Sequence, residues 1–334
     1  MSFFAILCAL LIEQLRPLAY HNPVYGAVLG WTRWTSRNFD AGRPHHGWVA
    51  WSLAVGLPSL IALGVHWLLL HFLGLAFALL WSIAVLYTTL GFRQFSHHFT
   101  GIRDALDMGD EALARELLAR WQRVDAADLP RSAIVRHVIE YSVIAAHRHV
   151  FGVLAWFSIL AAFGFGPAGA VFYRMSEFVA RYWAQKTHAS AQPASVWVRQ
   201  VADRAWAAVD WLPARITALG FAVVGSFEEA IHCWRNDARR FPDLNDGVIL
   251  AATSGALNVR LGGGQLAPIA SPRDAWPQPS SGETPSALIG LDSGSTPGRE
   301  PVLAHLRSVV GLVWRSVVMW MVLLALLTLA RLLG

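Results

Sequence analysis

Between Gly47 and Phe92 the chain carries no Lys, Arg, Asp or Glu. A helix needs about 20 apolar residues to cross a bilayer, each adding about 1.5 Å. The run is therefore long enough for two spans, with the turn expected between His66 and Gly74. His66 and His71 then lie near the far interface, as neutral interfacial histidines or, in the alternative, as a metal pair. Composition agrees. The 334 residues are 55% hydrophobic and 15% charged, whereas a soluble domain carries about 25% charged residues. The 16 Trp and 17 Phe suit interfacial belts. These features predict an all-α, polytopic integral membrane protein with about 4–5 membrane segments, some of them broken or re-entrant, and a helical cytoplasmic loop region.

The net charge of +5 does not point to nucleic acid, because the basic residues lie beside apolar spans and alternate with acids. They suit cytoplasm-facing loops. The two cysteines, Cys8 and Cys233, have no CxxC spacing, so neither a disulfide framework nor a cysteine zinc site is expected. The N-terminus lacks a basic leader and a small-residue cleavage site, and does not read as a signal peptide.

Six regions follow from the pattern. Residues 1–46 hold a short or interfacial helix ending near Pro17, then a polar, basic connection with Arg33, Arg37 and Arg43. Residues 47–92 form the transmembrane hairpin. Residues 93–148 have apolar positions recurring at three and four, which predicts soluble helices, with Asp110 as an N-cap. Residues 149–264 form a membrane-embedded or interfacial core. Within it, Gly164, Gly166, Pro167 and Gly169 interrupt the apolar run 150–173 and predict two half-helices or a re-entrant hairpin. Residues 265–304 are rich in Pro, Ser and Gly, a linker composition. Residues 305–334 carry the last span. Loops 16–46 and 93–148 are both Arg-rich and fall on one side of the hairpin, which is expected to be the cytoplasmic side.

The stretch Trp206–Gly225 is apolar but carries Asp210, Pro213 and Arg215. A charge at bilayer depth is costly, so the stretch either lies at the interface or packs its charges on protein. Asp210 and Arg215 are five apart, beyond a good helical pair, although Pro213 can distort the turn between them. A snorkelling Arg with a capping Asp is one reading, and a polar cleft at the membrane surface is the other.

There is no GxxxxGK[ST], GxGxxG or HExxH motif. Gly262-Gly263-Gly264 after Arg260 is either a plain turn or a run of amides facing an anion. The doublets His45-His46, His97-His98 and His147/His149 lack a third ligand at usable spacing, so no metal site is assigned.

Several segments in order resemble the CobD/CbiB family, the membrane-bound adenosylcobinamide-phosphate synthases of cobalamin biosynthesis, and the related AmpE proteins of β-lactamase regulation. They are HNPVYGAVLGW (21–31), GFRQFSHHFTGIRDALDMGDEALAREL (91–117), Asp125, Glu140, LPARITAL (212–219), and the stretch from Pro242 to GALNVRLGGG (255–264). Two departures stand out. The family's Asn-Thr-Ser-Asp-Gly run is here Ala145-Ala146-His147-Arg148-His149. Its later Asn-Thr-Leu-Asp motif is replaced around Glu177–Ala180, with Lys186 in the segment that follows. The central region looks closer to AmpE and the C-terminal motif closer to the synthases.

The resemblance implies a bacterial inner membrane. It also implies two functions. One is a non-catalytic AmpE-like protein that binds a corrinoid or cell-wall-derived ligand, or a partner in regulatory signalling, with Asp210, Arg215, Asn245 and Arg260 lining the site. The other is an ATP- and Mg²⁺-dependent synthase that joins a corrinoid carboxylate to an aminopropanol-type amine. There Asp125, Glu140 and Lys186 would be the catalytic candidates. Membrane lipid is the remaining expected partner.

Overall fold

The computed structural model describes residues 2–16, 23–40, 42–122, 125–189, 195–264 and 294–333. Thirteen helices are described: α1 (Ser2–Leu15), α2 (Pro23–Phe39), α3 (Pro44–Phe72), α4 (Leu75–Thr89), α5 (Phe92–Asp107), α6 (Glu111–Gln122), α7 (Arg131–Ala146), α8 (Gly152–Ala162), α9 (Ala168–Ala189), α10 (Val196–Val224), α11 (Phe227–Asp237), α12 (Leu244–Leu257) and α13 (Leu303–Leu333). A π-helical turn, His147–Phe151, joins α7 to α8. Among the described residues there is no strand, and only an isolated parallel bridge between Val259 and Arg299. Four helices are long and apolar enough to cross a membrane: His45–Phe72, Arg131–Ala162, Val196–Val224 and Leu303–Ala330. The protein is an all-α polytopic membrane protein.

The chain divides into two compact units, residues 1–94, 145–217 and 317–334, and residues 95–144 and 218–316. In the first unit the 47–92 run folds into α3 and α4, joined by a turn at Leu73–Gly74, the late edge of the expected window, but it does not hold the two expected spans. Only α3 reaches spanning length, because α4 has 15 residues. Leu60, Ile61, Leu68, Phe77 and Leu80 are exposed, a pattern that suits contact with lipid tails rather than water. The basic connection expected after Pro17 contains a helix, α2. Its face carrying Thr32, Thr35 and Ser36 is buried, and the three hydroxyls bond helix carbonyls three or four residues back. Polar residues that satisfy themselves locally can be buried, which hid the helix from a hydropathy reading.

The Gly/Pro break in 150–173 is a helical hairpin. α8 ends at Ala162, and α9 restarts at Ala168 after a turn through Gly164 and Gly166, both with positive φ. A Cβ on Gly166 would overlap the His66 ring, and Trp67 Nε1 donates to Gly164 O at 3.0 Å. Within the hairpin, a Cβ on Gly152 would overlap the Tyr173 ring, and one on Gly169 would overlap the Trp156 carbonyl. α9 also packs on α3 and α10 through Ala50, Ala54, Val179, Trp183, Val198 and Ala202.

α10 runs unbroken through Pro213. Proline removes the donor for the carbonyl four residues back, here Val209. Trp156 Nε1 from α8 takes that carbonyl at 3.0 Å.

In the second unit Asp110 caps α6 as expected, accepting from Leu113 N at 2.9 Å. The helix expected to begin near 150 starts earlier. α7 carries Arg136, His137 and Glu140, and the apolar window of Arg131–Ala162 is 61% buried, against 17% for His45–Phe72. Polar side chains bonded inside the protein masked its continuity. α11 and α12 pack closely, since a Cβ on Gly255 would meet the Glu229 carbonyl. Asp243 caps α12 by accepting from Asn245 N and Asp246 N. Residues 265–293 of the expected linker lie outside the described residues. Residues 294–300 are tied down: Thr296 is buried, donates its N–H to Leu261 O at 2.7 Å and accepts from Leu261 N at 2.9 Å.

Candidate functional site

Two polar constellations stand out, one in each unit. In the first unit the π turn brings His147 into a fully buried network. His147 Nε2 lies 2.8 Å from Asp210 Oδ1, and Nδ1 lies 2.9 Å from Thr217 Oγ1. The Tyr173 hydroxyl donates to Asp210 Oδ1 at 2.8 Å. His147 and Tyr173 are 0% exposed, Asp210 1% and Thr217 2%. A buried carboxylate needs hydrogen-bond partners; Asp210 Oδ1 has two, while its Oδ2 has none among the described residues. Arg148 lies over the Trp206 ring, 5.9 Å from its centroid. On α9, buried Glu177 pairs with Arg174 at 2.9 Å and Arg181 at 2.6 Å. Burial alone would raise the Glu177 pKa, but Arg181 and Arg174 outweigh it and hold it below the ordinary carboxylate range.

The second constellation joins α7 to the glycine run. Glu140 Oε1 accepts from Gly262 N at 2.6 Å, and its Oε2 lies 3.4 Å from His137 Nδ1. Arg136 Nε is 3.9 Å from Glu140 Oε1. The Arg136 guanidinium lies where side chains at Gly263 and Gly264 would come within 3.4–3.6 Å of it. Gly262 and Gly263 have φ of +80° and +84°, a conformation open mainly to glycine. The run is therefore a backbone loop folded over one Arg–Glu–His cluster. Beside it is a cavity of about 580 Å³ lined by His232, Asn236, Asp237, Arg240, Arg260, Ser295, Thr296 and Pro297. It is an open depression rather than an enclosed pocket, with His232, Asn236, Arg240, Arg260 and Pro297 exposed.

The residues singled out from sequence divide between the units. Asp210 is neither a cap nor a cleft residue but the acceptor of the buried network, and Arg215 folds back on its own helix, bonding Trp211 O at 2.8 Å with its guanidinium 4.2 Å from the Trp211 ring. Glu140, Asn245, Arg260 and Asp125 belong to the second unit. Asp125 is exposed and caps a turn through Ala127 N at 3.1 Å, whereas Asn245 is buried in the first turn of α12. The side chain of Lys186 lies outside the described residues, as do those of His21, Asn22 and His97. His147, Tyr173 and Thr217 were not identified as partners of Asp210. Their one trace in the sequence was the carboxylate in an otherwise apolar stretch.

Among the described residues no three His, Cys, Asp or Glu side chains gather where they could hold a metal ion. The nearest carboxylates are committed, Asp237 to Arg240 at 2.8 Å and Glu140 to Gly262. These residues offer no ready cage for the Mg²⁺ that the family implies.

The match to the CobD/CbiB protein family covers residues 3–267. The chain belongs to that family. It is similar to cobalamin biosynthesis protein CobD of Stutzerimonas stutzeri, 28% identical over 96% of this chain and 96% of the relative. It is 32% identical to the Chromobacterium violaceum protein of the same name, over 54% of this chain and 55% of the relative. For the Leptospira interrogans protein the figures are 30%, 60% and 60%. The chain thus spans little more than half the length of the last two relatives and nearly all of the first. No solved structure matches the chain.

Proposed function

We propose that this protein acts in cobalamin biosynthesis as a bacterial inner-membrane synthase, forming an amide between a corrinoid carboxylate and an aminopropanol-type amine at the expense of ATP. The observation that carries this reading is the 2.6 Å bond from Gly262 N to Glu140. It joins Glu140, which stands where the family carries a Glu, to the C-terminal segment that looks closer to the synthases, and family membership and the names of the relatives support the same activity. The departures from the family pattern, at 145–149 and 177–180, fall in the other unit. There His147 serves a buried packing network and Glu177 an ion-pair cluster. In this reading Glu140 is a positioning residue that sets the glycine loop, and Arg136 keeps the loop positively charged. Amide formation needs the amine and the activated carboxylate held together, and orientation of this kind supplies much of such a barrier reduction.

The AmpE-like alternative draws on one observation. The run at 145–149, which departs from the synthases, is occupied by the His147–Asp210 network and offers no ligand set. The test is turnover by detergent-purified protein given adenosylcobyric acid, an aminopropanol phosphate, ATP and Mg²⁺, with the amide read by mass spectrometry. Product supports the synthase. Neither corrinoid binding nor product would leave the non-catalytic, ligand- or partner-binding reading standing.

A further inference from the structure

The cavity beside the glycine loop has a wall that the sequence read as linker. Residues 294–300 are pinned to the loop from several sides: Ser254 Oγ donates to Thr296 Oγ1 at 2.7 Å, Arg260 N to Arg299 O at 2.8 Å and Arg299 N to Asn258 O at 3.1 Å. A Cβ on Gly298 would overlap the Val259 backbone, so the two segments close against each other only with glycine there. The wall presents Ser295 to the cavity from a fixed backbone, with Thr296 buried behind it and its hydroxyl already bonded to Ser254 and Leu261.

Two guanidiniums share this cavity. Arg240 sits in the 3₁₀ turn after α11, and its fork is oriented from one side: Nε bonds Asp237 Oδ1 at 2.8 Å and Nη1 donates to Ser295 O at 3.0 Å. Its Nη2 has no partner among the described residues. Arg260 is exposed, and its guanidinium has no ion pair or hydrogen bond among them either. Asp237 is the one carboxylate in the lining and is already paired, so the lining is net positive before His232 takes up a proton. A planar guanidinium fixed by bonds on one edge, with donors left on the other, matches the geometry of a tetrahedral oxyanion.

We infer that this cavity is a phosphoryl-binding subsite, in which Arg240 and Arg260 grip a phosphate oxyanion against the Ser295 wall. The inference rests on the synthase reading only for which phosphorylated compound occupies the site. A second cavity of about 470 Å³, lined by Phe227, Glu228, Ile231, His232, Arg235 and Asn236, shares His232 and Asn236 with the first. It extends the site along α11 and offers apolar surface to the rest of the molecule.

The test is direct binding to the purified full chain by isothermal calorimetry, with an aminopropanol phosphate, a non-hydrolysable ATP analogue and inorganic phosphate as separate probes and acetate as control. Wild type should bind at least one organic phosphate and ignore acetate. The variants Arg240→Gln and Arg260→Gln should each weaken that binding by about tenfold or more, the loss expected for a charge-assisted bond. Arg240→Lys should fall between, because it keeps the charge and loses the fork. Arg103→Gln, in the exposed Arg103–Asp104 pair of α5, should bind as wild type does, and melting temperatures identify any variant that fails to fold. Weakening confined to the ATP analogue would place the nucleotide here, and weakening confined to the aminopropanol phosphate would place the amine substrate. Binding of no phosphate by wild type, or equal binding by wild type and the well-folded glutamine variants, would overturn the inference. Turnover by the same preparations separates the two claims. Amide formation with binding indifferent to both arginines would sink the subsite and leave the synthase, whereas arginine-dependent phosphate binding without amide formation would do the reverse.

Discussion

The two units handle polar groups in opposite ways. The first buries them: His147, Asp210, Tyr173 and Thr217 are closed away in a helical core whose outer face is apolar. The second uses polar groups to fix irregular backbone, through Glu140 on Gly262, Asp243 on α12 and Thr296 on Leu261, and leaves Arg240 and Arg260 facing a cavity. Polar groups sealed in a core specify packing. Polar groups that hold a loop beside an open cavity can meet a ligand. The contrast supports the proposed reading, in which the first unit is scaffold and the second holds the site.

The largest effect should come from the buried network. Asp210→Ala strips His147 and Tyr173 of their shared acceptor and should cost about 3–5 kcal/mol, seen as a large fall in melting temperature in detergent. A loss under 1 kcal/mol would mean that the network is not sealed as described. Next is the α8–α9 hairpin, where Gly169→Ala places a Cβ on the Trp156 carbonyl and should cost about 1–3 kcal/mol by overpacking. Trp156→Phe should cost about 1–2 kcal/mol, because it orphans the Val209 carbonyl that Pro213 already leaves free. Pairing this variant with Pro213→Ala, which restores a donor within the helix, should shrink that cost. The smallest effect is pH-dependent. The Glu177 pKa is lowered in the folded protein, so its ion pairs contribute stability that is full above the ordinary carboxylate pKa and is lost as pH falls through the depressed value. Unfolding measured between neutral and acid pH should show this loss in wild type and a smaller one in Glu177→Gln.

The sequence revealed what hydropathy and turn chemistry control. The uncharged run 47–92 became α3 and α4, the Gly/Pro break became the α8–α9 hairpin, and Asp110 became a cap. It hid what depends on distant partners. Nothing in the spacing of His147 and Asp210 indicates a bond, because the contact is made by a π turn on one helix and a proline-bearing helix 63 positions on. The span through 131–162 was obscured by its own Arg136, His137 and Glu140, which cluster with one another on one helix face and reach the rest of the chain through the Gly262 N–H bond to Glu140. Glu140 was legible only through resemblance, Arg260 also through the glycine run that follows it, and Arg240 only as part of a basic segment. A linker-like composition concealed that residues 294–300 complete a cavity wall.

The most direct test of the central claim is the rate of ATP-dependent amide formation by Glu140→Ala set against wild type and Glu140→Gln, each verified as folded by its melting curve. Losing the acceptor for Gly262 N should free the glycine loop and slow turnover by about a hundredfold, the scale set by misplacing groups around a reaction. Glu140→Gln, which keeps an acceptor oxygen, should recover part of that rate. Equal rates in all three folded proteins would contradict the account, because the loop would then have no part in the chemistry.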